Sequence, residues 1–269
     1  NNKLINKLLN TVSLLEMYGV KGVEVKPNRG HVLDEWINYL LDKLITMVTL
    51  HLDDYAIDKA ARPILDFVEE FSTWYVRRSR DRFKDDVDAK VVTQNIVYIL
   101  TTLSKLLAPF TPFIAEDIYQ QMKKFAVGDW KESVHLEDWP KAESMSNGSD
   151  EVLVNMQKTR EVVEIGLAER NKQGIKVRQP LASITVPEEV FESLYTDIIA
   201  DELNVKTVLK GEIQSAYMLD TNITEELRLE GVVRDVSREI QAERKNMNLV
   251  PEDKVEVIVY STESEIEVL

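Results

Sequence analysis

The densest group of side chains that could do chemistry is an aromatic and basic segment at positions 74–84. Its sequence, WYVRRSRDRFK, holds five cationic residues against one acid. Guanidinium groups bind phosphate through paired hydrogen bonds, and aromatic rings stack on unpaired bases, so this composition suits RNA. The candidate RNA-binding residues of this segment are Trp74, Tyr75, Arg77, Arg78, Arg80, Arg82 and Lys84.

Helical spacing divides these candidates between two faces. The apolar stripe of the preceding residues continues at three- and four-residue steps to Arg78 and Arg82, which places both near the buried side. Because buried charges are paired, we expect acids of a neighbouring helix beside them. Core packing is therefore the alternative to RNA contact for these two arginines and for the two aromatic residues. Arg77, Arg80 and Lys84 point outward, where a plain solvated face is the alternative to phosphate contact.

A second basic segment, RNKQGIKVRQP, spans positions 170–180 and carries four cations and no acid around a glycine. Backbone N–H groups and cationic side chains at such a turn can hold phosphate. Cations at the end of a helix also complement its dipole, which is the alternative interpretation. The candidate RNA-binding residues of this segment are Lys172, Lys176 and Arg178.

Composition excludes several other chemistries. The 269 residues include no cysteine and three histidines, so thiolate zinc sites, cysteine nucleophiles and histidine metal clusters are not expected. The carboxylates form no convincing catalytic pair, and the pairs Asp53–Asp54 and Asp85–Asp86 are interpreted as helix N-caps. We therefore predict no catalytic residue and no metal site.

The charge balance restricts the partners. Lys and Arg number 33 against 47 Asp and Glu, a net charge of −14, which argues against a general nucleic-acid coat and leaves the two basic segments as local exceptions. No apolar run approaches the ~18 residues of a membrane span, and the chain does not open on a signal-peptide pattern. A membrane partner is therefore not expected.

Hydrophobic periodicity predicts a helical first half. Short connections between long amphipathic helices indicate an antiparallel bundle, over residues 1–140. A Ser/Asn/Gly-rich stretch at 141–149 is the predicted linker. The predicted helices run, in chain order, from Leu4 to Tyr18, Leu33 to Leu52, Asp58 to Phe83, Ala89 to Leu107 and Phe113 to Phe125.

The second half mixes helix and strand patterns, which predicts a small α+β domain at 150–269. Gly174 is the expected stop of its first helix, and a hairpin is expected around Gly211. The whole chain is thus predicted to be mainly α. The predicted elements are a helix from Asp150 to Gln173, a strand from Leu181 to Val186, a helix from Glu188 to Leu203, hairpin strands Val205–Leu209 and Ser215–Leu219, a helix from Thr224 to Asn246 and a strand from Lys254 to Tyr260.

Several segments resemble one family, in that family's order. Four segments are similar to the anticodon-binding bundle of isoleucyl-tRNA synthetases, which are class I aminoacyl-tRNA synthetases. These segments are LDEWINYLLDKLITMVTLHLDDYAIDKAARPILDF, FVEEFSTWYVRRSRDRFK, LLAPFTPFIAEDIY and SVHLEDWP. Two further segments resemble the region that follows the bundle in those enzymes, namely NKQGIKVRQPLASITV and ELRLEGVVRDVSREIQAERKNMNL. The resemblance covers nearly the whole chain, and the combination of WYVRRSR, SVHLEDWP and KVRQPL is specific.

The resemblance implies a class I anticodon-binding domain with a C-terminal extension, and hence recognition of isoleucine tRNA through its anticodon stem-loop. The implied partners are that tRNA and the remainder of the synthetase chain, in the cytoplasm; DNA is not among them. The HIGH-like and KMSKS-like motifs are missing, so a C-terminal fragment that does not aminoacylate alone is expected. The ATP and Mg²⁺ of the whole enzyme are not expected to bind here. The lack of cysteine excludes the zinc cluster of many bacterial members and favours a eukaryote-like or archaeal-like branch.

Two alternatives stay open. A valyl- or leucyl-tRNA synthetase would share the bundle, although KVRQPL and ELRLEGVVRDVSREIQ favour the isoleucyl enzymes. A non-catalytic helical protein-interaction module would instead use the acidic surface to dock a basic partner. Sequencing the tRNA that the chain retains would distinguish the first alternative, and the absence of tRNA binding at moderate salt would favour the second.

Overall fold

The computed structural model describes residues 2–143, 149–187, 193–211, 217–250 and 253–258. The chain divides into two compact units, Asn1–Leu153 and Val154–Leu269. The predicted linker at 141–149 lies just before this division, and its positions 144–148 fall outside the described residues. Both units match the predicted fold class, since the first is a helical bundle and the second adds helices to a small mixed sheet.

The first unit is built from long helices joined by short loops. A two-residue parallel bridge between Val23–Glu24 and Ala126–Val127 pairs Val23 with Ala126 and ties the first loop to the segment after the helix Pro112–Met122. Short 3₁₀ turns occur at Asp81–Lys84 and Val134–Leu136. The elements are α1 Asn2–Tyr18, β1 Val23–Glu24, α2 Val32–Asp53, α3 Ile57–Glu70, α4 Asp86–Leu107, α5 Pro112–Met122 and β2 Ala126–Val127.

The apolar faces of these helices meet in one core. Side-chain contacts place α1 beside the end of α3 and the chain that follows it, running in the same direction, because Lys7 pairs with Glu69 and, further along both segments, Tyr18 meets Phe83. Burial of large apolar side chains is the main favourable term for such a bundle, at roughly 1.5–3 kcal/mol each. Fully buried members include Leu8, Leu15, Ile37, Leu41, Ile64, Phe71, Tyr75, Ile96, Ile99, Leu100 and Tyr119.

One of the two predicted aspartate caps is present. The carboxylate of Asp85 accepts the N–H groups of Val87 and Asp88, both at 3.0 Å, so the N-cap prediction for the start of α4 is confirmed. The prediction for Asp53–Asp54 is wrong. Asp53 closes α2, and the next helix begins only at Ile57, too far along the chain for either carboxylate to cap its first turn.

The predicted helix from Asp58 to Phe83 is broken. Helix α3 ends at Glu70, and a π-helical turn follows over Phe71–Val76. The wider turn admits a residue that strict α spacing would not, so the residues beyond it are rotated relative to the stripe read from the sequence. Stacked rings line this stretch, with centroid distances of 6.2 Å for Phe67–Phe71 and 6.0 Å for Phe71–Tyr75, and such pairs contribute about 0.5–1.5 kcal/mol each.

The second unit is organised around a sheet of three strands, β3 (Leu181–Pro187), β4 (Val205–Gly211) and β5 (Met218–Leu219), with β3 in the centre. Helix α7 (Ser193–Leu203) lies between β3 and β4 in the chain. Strand β4 pairs with β3 in parallel, with Leu181 opposite Val205, and the crossover between them contains α7. Strand β5 pairs with the other edge of β3 in the antiparallel sense, with Ile184 opposite Leu219. The elements are α6 Ser149–Lys172, β3 Leu181–Pro187, α7 Ser193–Leu203, β4 Val205–Gly211, β5 Met218–Leu219 and α8 Glu225–Asn246.

Two sequence predictions for this unit are wrong. The expected hairpin is absent, because β4 and β5 occupy opposite edges of β3 and do not pair with each other. The expected strand at 254–260 is absent in its described part, residues 253–258, where the apolar side chains Val255, Val257 and Ile258 are exposed and no strand pairs with them. An alternating pattern forms a strand only where a neighbouring edge accepts its hydrogen bonds. Residues 188–192 of the predicted second helix and 215–216 of the hairpin lie outside the described residues.

No helix in the described ranges is both long enough and apolar enough to cross a membrane.

Candidate nucleic-acid interface

The basic segment 77–84 follows the π turn and ends at the start of α4. Its residues pass from a last α-helical turn at Arg77 and Arg78 through a bend into the 3₁₀ turn Asp81–Lys84. Phe83 meets Tyr18 at the end of α1, with ring centroids 6.4 Å apart. The segment is therefore held between α1 and the N-terminal ends of α2 and α4, and its conformation depends on contacts made far along the sequence.

A buried ion pair fixes this segment to the bundle. The two Nη atoms of Arg82 donate to the two carboxylate oxygens of Asp34, at 2.8 and 3.0 Å, and the hydroxyl of Tyr75 donates to Asp34 Oδ1 at 2.7 Å. The side chain of Asp34 is 0% exposed and that of Arg82 is 10% exposed. Burial alone would lower the pKa of Arg82, but the hydrogen bonds and charge of Asp34 outweigh it and raise that pKa.

This geometry bears on two of the residues predicted to contact RNA, Arg82 and Tyr75. The expectation that Arg82 pairs with an acid of a neighbouring helix is confirmed. Tyr75 is 0% exposed, and burial together with the charge of Asp34 raises the pKa of its hydroxyl well above the usual value. A side chain without accessible surface cannot stack on a base, so the structure does not support the predicted RNA contact of Tyr75. The guanidinium of Arg82 is bound by Asp34 and mostly buried, which makes Arg82 a weak candidate for phosphate contact. Both residues hold the structure around the segment.

An amide network extends from Tyr75 into the loop before α2. Asn95 Nδ2 donates to the hydroxyl of Tyr75 at 2.9 Å, and Asn38 Nδ2 donates to Asn95 Oδ1 at 2.8 Å. The backbone N–H of Asn28 reaches the same Asn95 oxygen at 2.9 Å. Because each of these groups is buried or half-buried, breaking one link leaves a polar atom without its partner. The loop, the segment and α4 are thus held in one arrangement.

The remaining candidates of the segment lie at or near the surface. Arg77, Arg80 and Lys84 are exposed, as their outward helical positions predicted, and Trp74 and Arg78 are half-buried. Lys84 pairs with Asp81 at 2.6 Å. Within the part of the chain that the structure describes, the side chain of Arg80 forms no hydrogen bond or ion pair. Arg80 is therefore the member of this set best able to bind an external anion.

The second basic segment is pinned by a buried arginine that the sequence interpretation overlooked. Arg170 is 0% exposed, and its guanidinium donates to the backbone oxygens of Lys176, Gln179 and Asn204 at 3.1, 2.9 and 3.0 Å. Burial lowers its pKa to about 10. Gly174 adopts a φ of +68°, so the prediction that it ends this helix is confirmed.

The three predicted contacts of this segment all have carboxylate neighbours. Lys172 lies 3.4 Å from Glu169, and both Lys176 and Arg178 share Asp235 of α8, at 3.3 and 2.5 Å. These cations lower the pKa of Asp235 through hydrogen bonds first and charge second. Phosphate would have to compete with Asp235 for the last two, which makes them weaker candidates than Arg80.

His31 caps α2 near the Arg82–Asp34 ion pair, and we expect it to make the stability of the first unit depend on pH. Its Nδ1 accepts the N–H of Leu33 at 3.1 Å, which requires the neutral ring. Burial first and the charge of Arg82 second lower the pKa of His31 below 6.5. When the pH falls through about 6.5, the imidazole of His31 takes up a proton in the unfolded chain but not yet in the folded chain. The free energy of unfolding therefore falls as the pH drops.

We expect His31→Asn to keep the cap and to weaken this pH dependence between about pH 7.5 and 5.5. His31→Ala removes the cap and costs about 1 kcal/mol at the upper pH. Urea unfolding followed by tryptophan fluorescence measures both. His135→Asn is the control, because His135 is exposed and its side chain caps no helix. If His31→Asn showed the same pH dependence as the wild type, His31 would not be the cause of that dependence.

Metal binding receives no support from the geometry. Across the described ranges, no three His, Asp or Glu side chains are grouped so that they could hold a metal ion.

Comparison with known proteins gives a consistent family. The family model described as the anticodon-binding domain of tRNA ligase matches residues 34–186. An isoleucine–tRNA ligase of Clostridium tetani is 40% identical over 199 residues, covering 70% of this chain and 18% of its own length. Isoleucine–tRNA ligase 2 of Bacillus cereus is 31% identical over 360 aligned residues, covering 99% of this chain and 34% of its own length.

A third relative, the isoleucine–tRNA ligase of Clostridium acetobutylicum, is 42% identical over 193 residues, with 70% of this chain and 18% of its own length covered. The chain therefore spans about a fifth to a third of the relatives it matches. All three relatives are bacterial, so they do not support the expectation of a eukaryote-like or archaeal-like branch. The matched region contains the segment 77–84 and more than half of the chain, and the chain belongs to the family of anticodon-binding domains of tRNA ligases.

Proposed function

We propose that this chain is the tRNA-binding part of an isoleucine–tRNA ligase and recognises the anticodon stem-loop of isoleucine tRNA. The observation that carries the proposal is an exposed cationic set, Arg77, Arg80 and Lys84, held by buried contacts within the region that matches the anticodon-binding family. The names of the relatives favour isoleucine over the valine and leucine alternatives.

The proposed mechanism separates capture from recognition. Cations of the segment bind loop and stem phosphates, which positions the RNA without reading its sequence. Unpaired anticodon bases are then read by stacking and by hydrogen bonds to their edges. Trp74 and Arg78 remain proposed contacts of this kind, and Lys172, Lys176 and Arg178 are proposed secondary phosphate contacts. The strongly acidic remainder of the surface discourages RNA from binding elsewhere.

The rest of the synthetase chain is the proposed second partner, and the cytoplasm is the proposed location. The whole enzyme would bind ATP and Mg²⁺ through a catalytic core whose motifs this sequence does not contain. We therefore expect the chain alone to bind tRNA and not to charge it. A protein-interaction role is the competing proposal, and it predicts no anticodon-dependent binding of RNA.

The test is filter binding of isoleucine tRNA and of the same tRNA with a swapped anticodon, over a series of salt concentrations. We expect the cognate tRNA to bind about tenfold or more tightly, since single base contacts contribute roughly 1–3 kcal/mol. Equal affinity for the two tRNAs would contradict anticodon recognition.

Replacing Arg77 and Arg80 together with alanine is expected to weaken binding of both tRNAs and to reduce the slope of log K against log salt. The slope should fall by about 0.7–0.9 for each phosphate that the variant no longer binds. Lys43→Ala with Lys59→Ala is the charge-matched control, because both lysines are exposed on α2 and α3, outside the segment. Equal effects of the two double variants would indicate nonspecific attraction to the surface.

A further inference from the structure

An open groove runs between the C-terminal part of α1 and the chain from Ser72 to Lys84. Its volume is about 630 Å³, within the range of sites that hold small ligands. Its walls belong entirely to the first unit. The side chains used below are Met17, Tyr18, Arg80, Asp81, Phe83 and Lys84.

One wall of the groove presents an aromatic ring to solvent. Tyr18 is 51% exposed and rests at 43° against Phe83, so one side of its ring is supported and part of its surface is open. Met17 beside it is 65% exposed. Among the described residues, the Tyr18 hydroxyl forms no hydrogen bond. A large ring that is held in place by packing and left uncovered is suited to receive a flat ligand.

The opposite wall supplies positive charge. Arg80 lines the groove without an ion pair in the described part of the chain, and Lys84 follows one turn later beside Asp81. Arginine pairs with phosphate through a fork of donors and also stacks on planar groups. The groove thus combines an aromatic surface and an available cation, the two elements with which proteins hold single-stranded RNA.

We propose that this groove receives one unpaired base of an RNA loop, stacked on Tyr18, with a neighbouring phosphate bound by Arg80. The proposal rests on the proposed tRNA-binding function and assigns the stacking residue within it. It replaces Tyr75, which is buried, by Tyr18, which lies 57 positions earlier in the chain but beside the same segment. Stacking is tolerant of base identity, so the site would hold the loop open while other contacts read its sequence.

The experiment uses the full chain and an RNA hairpin with the anticodon loop of isoleucine tRNA. Individual loop bases are replaced by 2-aminopurine, whose fluorescence falls when it stacks. We expect one loop position to be quenched on binding, Tyr18→Phe to keep that quenching, and Tyr18→Leu to abolish it and to weaken binding about tenfold. Phe113→Leu is the matched control, because Phe113 is 89% exposed and lies outside the groove.

A second variant tests the other wall without touching the packing of α1. Arg80→Ala is expected to reduce the salt slope by about 1 and to leave the 2-aminopurine quenching in place at low salt. Suppose that the wild type, Tyr18→Leu and Tyr18→Phe all bind in an anticodon-dependent manner, with the same affinity and the same quenching. This result would overturn the groove assignment and leave the proposed function standing. A wild-type chain that does not distinguish the cognate hairpin from a swapped loop would overturn both.

Discussion

Asp34→Ala is expected to lower the free energy of unfolding of the first unit by about 3–5 kcal/mol. The substitution leaves the guanidinium of Arg82 partly buried without the carboxylate that binds both of its Nη atoms. It also removes the acceptor of the Tyr75 hydroxyl. Removing one member of a buried ion pair is more costly than never having the pair, because the remaining charge keeps its desolvation penalty.

Tryptophan fluorescence in urea is the appropriate measurement, since all four tryptophans, Trp36, Trp74, Trp130 and Trp139, belong to the first unit. Asp58→Ala is the matched control. Asp58 also faces an arginine, Arg62 at 3.9 Å, but both side chains are more than two thirds exposed, so its loss should cost less than about 0.5 kcal/mol.

The same variant links stability to function. If the Arg82–Asp34 pair holds the basic segment 77–84 in place, Asp34→Ala should weaken tRNA binding under conditions where the chain is still folded, whereas Asp58→Ala should not. The double substitution Asp34→Leu with Arg82→Met should recover part of the stability, because it removes both charges together. A loss below about 1 kcal/mol in Asp34→Ala would indicate that Asp88, 3.4 Å from Arg82, is a sufficient partner.

Local pattern was sufficient to predict most of the bundle. Helix α2 was expected from Leu33 to Leu52 and runs Val32–Asp53, and α4 was expected from Ala89 to Leu107 and runs Asp86–Leu107. These helices are long and strongly periodic, so hydrophobic spacing alone identifies them. Spacing also placed Arg82 on the buried side, although only the folded chain shows that Asp34, 48 positions away, is its partner.

The features that hydrophobic spacing does not predict depend on tertiary contacts. The π turn at Phe71–Val76 has no signature in hydrophobic spacing, and the order β4-β3-β5 is set by which edges of β3 are free rather than by the distance between strands in the sequence. Tyr18 was overlooked because an aromatic residue before a glycine at the end of a helix is unremarkable until its neighbour Phe83 is known. Arg170 was overlooked because an arginine in a basic segment is normally solvated.

Arg170→Met is expected to lower the stability of the second unit by about 2–4 kcal/mol. The buried guanidinium donates to three backbone oxygens, and charged hydrogen bonds of this kind contribute roughly 1.5–3 kcal/mol each. Removing the buried charge returns part of that loss, since burial alone lowers the pKa of Arg170 to about 10. We expect the loss of the three charged hydrogen bonds to dominate, because methionine offers no donor in their place. The oxygens of Lys176 and Asn204 keep the backbone N–H groups of Gln179 and Leu181, which limits the loss.

Hydrogen exchange followed by mass spectrometry is the measurement, because the second unit contains no tryptophan. Exchange should accelerate at the amides of Ile175, Gln179 and Leu181, whose backbone bonds close the turn and join it to Asn204. Arg170→Lys keeps the charge but reaches fewer carbonyls, so it should fall between wild type and Arg170→Met.

Lys172→Met is the control, since Lys172 lies on the same helix with its side chain 73% exposed, and exchange should be unchanged. Equal protection in Arg170→Met and Lys172→Met would show that the turn is held by Asn204, whose Nδ2 donates to the backbone oxygens of Val177 and Arg178 at 2.9 and 3.0 Å. Faster exchange in Arg170→Met alone would show that a buried cation, bound to carbonyls rather than to an acid, sets the position of Lys176 and Arg178 and therefore of any phosphate that they bind.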